Sequence, residues 1–572
     1  MKSRRIQMAL VVAMSGALVL SGCAGNGDGN DQGGGGGTPG ATGGGADNIA
    51  DNPQPRENVE DGGTFTRPLD SFPTNYNEWH VDGNLTDWNT VMAAVQPGFY
   101  LISPEGEFAP RTEYLQEMPT SENKDGKQVI TYKMNPKAVW NDGAKIDWKS
   151  FEATWKANRA SVDKEGFNNV AQSGYEDIEK VEQGGTPEEV RITMKKPFYP
   201  VQNLFASVLH PKLGTKDAFN TLMKDDPHPE LRSGPFVIDK LDKATQTVTL
   251  KQNPKWWGNK PKLDTVIFRQ MEDSANIPAF SNGEIDMVQT NSKARMTQVQ
   301  NAPDMEVRRS QDLGTRVFIF NSAAPSLKDT AVRKALWQGL NPEELKKVRW
   351  AGMDYTEKPV GSAMFYAFQP YGEDNLPVHF DAAAAEKTLQ DAGYVKGSDG
   401  VYAKDGKKLT VRYTAHGDDP VVTAQAQTIQ NQLKAIGIDL QLDMRSAAAF
   451  GNTMEKRDFD FLQMGWVSGG FPISTSAPCQ FYCTDSTSNY SKTGTPELDA
   501  RIKKLGEIEN QDDQVKEMNA IEKEWMAQGY GQLPWANGPD VWAFHKGVAN
   551  YGPALFRTVK WEDVGWQKGF KK

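Results

Sequence analysis

Residues 421–442, VVTAQAQTIQNQLKAIGIDLQL, carry the pattern that decides the fold. Apolar positions recur at helical spacing as far as Ile436. Gly437 then closes the segment, as glycine does where a helix ends in a left-handed turn. Ile438, Leu440 and Leu442 alternate with Asp439 and Gln441, which is the period of a half-buried strand. A helix, a glycine and a strand in direct succession signal an α/β unit.

The same grammar extends outward. Residues 331–339, 382–392 and 498–528 have helical periodicity, and the second of these runs into Ala392-Gly393-Tyr394. Upstream, Gly63-Thr64-Phe65-Thr66 and residues 128–134, 190–194, 246–251 and 266–270 read as strands. Val139-Trp140-Asn141-Asp142-Gly143 contains a turn signal. It precedes a predicted helix at 149–159, with Trp148, Phe151 and Trp155 at helical spacing. Strands and helices mix throughout, which disfavours all-α and all-β architectures, and no short repeat suggests a solenoid.

The N-terminus is of a different kind. Lys2, Arg4 and Arg5 precede an apolar run from Met8 to Leu20 that is too short for a permanent membrane span. This is the pattern of a secretory signal. Leu20-Ser21-Gly22-Cys23 resembles a lipobox, which implies cleavage before Cys23 and lipidation of its sulfur. Residues 24–58 are rich in Gly, Asn, Asp, Thr and Pro and cannot bury enough surface to offset ordering entropy. As a flexible tether they would reach roughly 35 Å on average. The expected location is the extracytoplasmic face of the cell membrane, with the lipid as the sole membrane attachment.

The remainder of the 572-residue chain, from about Val59, is too long for one ordinary core. Its formal charge is −10, and removal of residues 1–22 takes away three bases and no acid, leaving about −13. That balance argues against a nucleic-acid partner. Beyond Cys23 the cysteines are Cys479 and Cys483. In an oxidising compartment a local disulfide is the natural reading; its short loop limits the stabilisation to about 2 kcal/mol. A metal pair is the alternative, but no histidine lies nearby and two thiolates make a poor zinc site. No metal or other cofactor is expected.

Several segments together resemble the family 5 extracellular solute-binding proteins of ABC importers, the peptide, dipeptide and nickel type. They are Gly234-Pro235-Phe236-Val237, Lys251-Gln252-Asn253-Pro254-Lys255-Trp256-Trp257-Gly258 with Lys260-Pro261-Lys262-Leu263-Asp264, Gly283-Glu284-Ile285-Asp286, Asp329 to Leu336, Asp391-Ala392-Gly393-Tyr394 and Leu433 to Ile438. Each is weak alone; their shared order and spacing carry the likeness. The residues also have their own reading: Asn253-Pro254 restricts the backbone and the two tryptophans bury large areas, so this run is scaffold.

The resemblance implies an α/β, bilobal periplasmic-binding-protein-like fold with an inserted domain, two crossing hinge strands and a central cleft. Lobe I would comprise residues 59–95, 231–316 and 534–572, the insert 96–230, and lobe II 317–533. Strands near 317–320 and 533–537 would cross between the lobes. Implied ligand contacts are Asn75, Tyr76, Asn77 and Trp79 after the first strand, Phe320, Asn321, Trp535 and Asn537 on the crossing strands, and Gly465, Trp466, Val467, Ser468, Gly469 and Phe471 in lobe II. Family members that hold a peptide's α-ammonium often carry Asp three residues after this tryptophan. Gly469 stands there instead, leaving Glu78 and Asp485 as substitute acids, or a ligand without a free amino terminus. The implied function is a monomeric receptor that delivers oligopeptides to a membrane permease. Oligosaccharides, nickel chelates and signalling peptides are alternative cargoes. A surface sensor without transport and an extracytoplasmic hydrolase are the rival classes. The chain has no Gly-x-Ser-x-Gly or His-Glu-x-x-His, and its six histidines are scattered.

Overall fold

The computed structural model describes residues 49–159, 165–170, 173–417, 419–467 and 469–570. The signal, Cys23 and most of the tether lie outside these residues, as does Ser468.

A six-stranded sheet organises the molecule. Its strands are β1 (Met287–Gln289), β2 (Met305–Phe320), β3 (Thr410–His416), β4 (Asp439–Arg445), β5 (Phe461–Val467) and β6 (Gln532–His545), in spatial order β1-β6-β2-β5-β3-β4. β2 and β6 run antiparallel for 16 and 14 residues and serve both lobes. In lobe I, β1 flanks β6; in lobe II, β5 flanks β2. The changeover falls at a register break between Gln311 and Thr315. Asp312-Leu313-Gly314 forms this irregularity, with the Asp312 carboxylate accepting from the Gly314 N–H at 2.9 Å. The changeover spans residues 311–315 and 537–539 and adjoins the stretches the sequence suggests, 317–320 and 533–537, which lie in the same two strands and pair with each other.

The opening sequence folds as read. α3 (Pro420–Ala435) links β3 to β4, which pair in parallel. Asp419 caps it by accepting from Val421, and Gly437 leaves it with φ of +77°. α1 (Thr330–Gly339) and α2 (Pro342–Arg349) pack with it on the core of lobe II. The predicted helix at 498–528 is in fact two, α5 (Pro496–Lys504) and α6 (Gln511–Gly529). The break has a tertiary cause. The Gly506 carbonyl accepts from Tyr199 N–H at 2.7 Å, and the Gln514 amide donates to the carbonyls of both Leu505 and Tyr199 at 2.8 Å. A short helix, α4 (Ala477–Tyr482), carries the Cys479–Cys483 disulfide.

Two four-stranded sheets lie outside the central one. The first orders Thr64–Leu69, Thr265–Gln270, Thr247–Gln252 and Phe236–Asp242. The second orders Thr120–Lys124, Lys127–Lys133, Glu189–Met194 and Ile178–Gln183, with helix Trp148–Asn158 against it. The Asn253-Pro254 run clasps the two regions. Asn253 donates to the Asn141 side chain and the Gly234 carbonyl, both at 2.8 Å, and Trp257 donates to the Glu113 carbonyl at 2.7 Å.

Candidate functional site

The interlobe space is floored by the bulge in β2 and its partner segment in β6. Asn537 locks this floor by donating to Thr315 Oγ at 3.0 Å, and Tyr355 donates to the Asn537 carbonyl at 2.6 Å. Tyr366 reaches the bulge from a lobe II loop, donating to the Leu313 carbonyl at 2.6 Å. β5 forms one wall. β2 pairs with it along its whole length, but β3 accompanies it only through Phe461 and Leu462. From Gln463 to Val467 its other edge has no strand partner among the described residues, and this stretch runs to Val467, opposite Gly314 of the bulge. An unpaired strand edge ending at a lobe boundary presents N–H and C=O groups to an extended ligand.

Trp466 is nearly buried, its ring 4.3 Å from that of Phe481 on α4 and stacked on Tyr490. The disulfide spans the helix that positions Phe481. The Trp466 indole N–H is buried without a hydrogen-bond partner. Phe471 is fully buried, edge-on to Phe365, and donates to the Met364 carbonyl at 2.9 Å.

Other anticipated contacts sit elsewhere. Asn75 and Asn77 are buried, and their amides donate to the carbonyls of Asn220 and Phe219. The Tyr76 carbonyl accepts from Trp88 and Arg232, so this segment braces its own loop, with Trp79 half-buried beside it. Phe320 stacks on Phe461, and Asn321 donates to the carbonyls of Arg457 and Phe459. Both lie inside lobe II, because the crossing point is upstream of them. Trp535 stacks on Phe318, its indole N–H also unpartnered. It walls a cavity of about 390 Å³ with Trp337, Leu345, Val360 and Phe365. Its other lining residues fall within 318–380 and at Leu533 and Pro534, so it lies where β6 passes the lobe II core and away from the bulge.

The two substitute acids are already engaged. Glu78 pairs with the buried Arg232 at 2.7 Å, and Asp485 makes an exposed pair with Lys503 at 3.0 Å. Different acids occupy the floor, at positions the sequence reading missed. Asp312 lies in the bulge, and Asp540 on β6 accepts from the Trp542 indole. Both remain partly open to solvent. Burial, reinforced by the Asp312 charge, pushes Asp540 up to about 7; burial also raises Asp312. Arg316 faces the same region from β2, in register with Gly465 of β5. The signal for this cluster was Asp312-Leu313-Gly314, a turn-like triplet inside a strand. Cys479, Cys483 and Asp485 are the sole metal-type trio within reach of one another among the described residues, and the two sulfurs are bonded together.

Residues 113–488 match the sequence model of the bacterial extracellular solute-binding proteins, family 5 middle region. The chain belongs to that family. It is therefore a substrate-binding protein of an ABC transporter and carries out no chemistry. The oligopeptide-binding protein OppA of Mycobacterium tuberculosis is 29% identical over 99% of this chain and 95% of its own length. Among solved structures, the periplasmic EDTA-binding protein EppA superposes with a TM-score of 0.78 at 22% identity, covering 91% of this chain and 98% of the other. The oligopeptide-binding protein AppA from Bacillus subtilis, in complex with a nonapeptide, gives 0.66 at 18% identity, covering 89% and 100%. These likenesses establish the bilobal α/β fold.

Proposed function

We propose that this family member captures oligopeptides between its lobes and delivers them to a membrane permease. The observation that carries the reading is the unpaired β5 edge at Gln463–Val467, which includes Trp466 and ends at the lobe boundary two residues before Gly469. A peptide laid along it gains main-chain hydrogen bonds that do not depend on sequence, which suits a receptor of broad specificity. The resemblance to OppA supports the same cargo. Gly465, Trp466, Val467 and Gly469 are the contacts this reading keeps, and Ser468 joins them by position. We assign Cys23 as the lipid attachment, with lobe I at 59–95, 231–316 and 534–572, the insert at 96–230 and lobe II at 317–533, acting as a monomer.

Native mass spectrometry of the gently purified protein tests the cargo. A heterogeneous set of bound masses that sequence as peptides is the expected outcome. A single non-peptide mass would replace the peptide assignment with that compound.

A further inference from the structure

Four arginines are buried outright among the described residues: Arg111, Arg232, Arg308 and Arg333. Each makes at least one side-chain ion pair or hydrogen bond, although Arg111 Nε itself has no hydrogen-bond partner among the described residues. Arg111 pairs with Glu562, Arg232 with Glu78 and Arg308 with Glu306, while Arg333 donates to the carbonyls of Gly529 and Leu327. This is what the cost of a desolvated, unpaired cation demands.

Arg316 and Arg349 break that pattern. Arg316 Nε is buried with no hydrogen-bond partner, and neither guanidinium makes a hydrogen bond or ion pair among the described residues. The acids whose charges bear on them are Asp312 and Asp419, and neither forms an ion pair with them. Asp312 is itself driven toward its neutral form by burial, and Asp419 is committed to capping α3. The two cations also oppose each other. Burial, with the Arg316 charge added, brings Arg349 down to about 10. Folding has thus placed two like charges in one semi-enclosed spot and left both guanidiniums without a partner among the described residues.

The surroundings fit a ligand. Arg316 crosses β5 at Gly465, where an added Cβ would stand 3.3 Å from its Nη1. The missing side chain leaves room for the guanidinium to lie over the strand. Arg349 ends α2 beside Tyr413 of β3 and the capped N-terminus of the 16-residue α3, whose dipole adds partial positive charge. The spot adjoins the β5 edge that β3 leaves unpaired. We propose that Arg316 and Arg349 form a carboxylate-binding site, so that the ligand is held by its anionic end at this edge. A carboxylate matches the planar guanidinium fork in two parallel hydrogen bonds. The inference rests on the reading that the interlobe cleft is the ligand site. Its carboxylate could belong to a peptide C-terminus or to a small polycarboxylic acid.

The test compares wild type with the R316Q/R349Q double variant after co-purified ligand is stripped. The probes are pentaalanine, pentaalanine C-terminal amide and citrate, at constant ionic strength. Calorimetry should show the wild type preferring the free acid over the amide by tenfold or more. The double variant should lose that preference and hold both as weakly as the amide. If citrate alone binds, and only through the pair, the site stands and the peptide assignment falls. If acid and amide bind wild type equally, the site falls and the peptide assignment stands. Binding of no probe also overturns the site. A purely structural pair would make the stripped double variant melt several degrees lower. Removal of two opposed charges should instead leave its Tm equal or higher.

Discussion

At Gly469 the atoms nearest an added Cβ would belong to the side chains of Ile473, at 3.1 Å, and Ser474, at 3.8 Å, and the backbone is not left-handed. An acid can therefore be placed here once the Ile473 side chain yields by a few tenths of an ångström. Gly469→Asp should strengthen binding of peptides with a free amino terminus by about tenfold, roughly 1.4 kcal/mol, and leave N-acetylated peptides unchanged. Isothermal titration of the paired peptides checks this; equal gains for both would show that the new carboxylate does not meet the ammonium. Asp540 offers a second single-residue experiment. Its folded pKa, about 7, lies above the 3.8 of an unperturbed carboxyl. Between these values the folded chain keeps a proton that the unfolded chain has released. Stability contributed by this group therefore falls as pH rises from about 4 to 7. Asp540→Asn should flatten that part of the Tm profile, with its largest relative gain at pH 8 and little change at pH 4. The pair at 312 and 540 escaped the sequence because acids far apart in the chain meet only once the bulge sets the register of β2 on β6.

At the scale of elements, what was legible was local. The helix–glycine–strand run at 421–442 and the strands at 128–134 and 266–270 needed only their own periodicity and a left-handed glycine. The division of residues 498–528 into α5 and α6 was not legible, because Tyr199, some three hundred residues away, makes the break. The full length of the crossing strands was not legible for a related reason: pairing with both lobes extends β2 and β6 well beyond the stretches at 317–320 and 533–537. The glycine ends give a graded test. Gly393 and Gly437 both have positive φ, but a Cβ at Gly393 meets nothing closer than Lys404 Cε at 3.9 Å, whereas at Gly437 it meets the Gly400 carbonyl at 2.9 Å and Tyr402 at 2.7 Å. Gly393→Ala should cost about 1 kcal/mol from conformation alone. Gly437→Ala adds overpacking and should cost at least about 2 kcal/mol. Urea unfolding of the two variants checks the order, and equal losses would contradict the steric account.

The whole molecule is held shut by contacts made far from the floor. Asn203 donates to the Pro472 carbonyl at 2.9 Å, Tyr199 and Gln514 join the insert to α6, and Phe368 packs against Phe556. These groups lie on facing bodies, so they contribute to closure rather than to either core. Asn203→Ala, which touches only the facing body, should enlarge the ligand-free radius of gyration in small-angle scattering and weaken ligand several-fold, with little change in unfolding midpoint. An unchanged radius would mean that this bond follows closure without favouring it. The insert's part in this latch was not legible from motifs, since it depends on backbone groups and on amide side chains of no distinctive type. The β5 backbone between Gln463 and Val467 has one more consequence. Unsatisfied strand backbone is also the template by which separate chains add to one another and begin to aggregate. A bound cargo covers that template, so the occupied receptor should stay dispersed at concentrations where the emptied one self-associates, a difference that light scattering of stripped and reloaded samples can read.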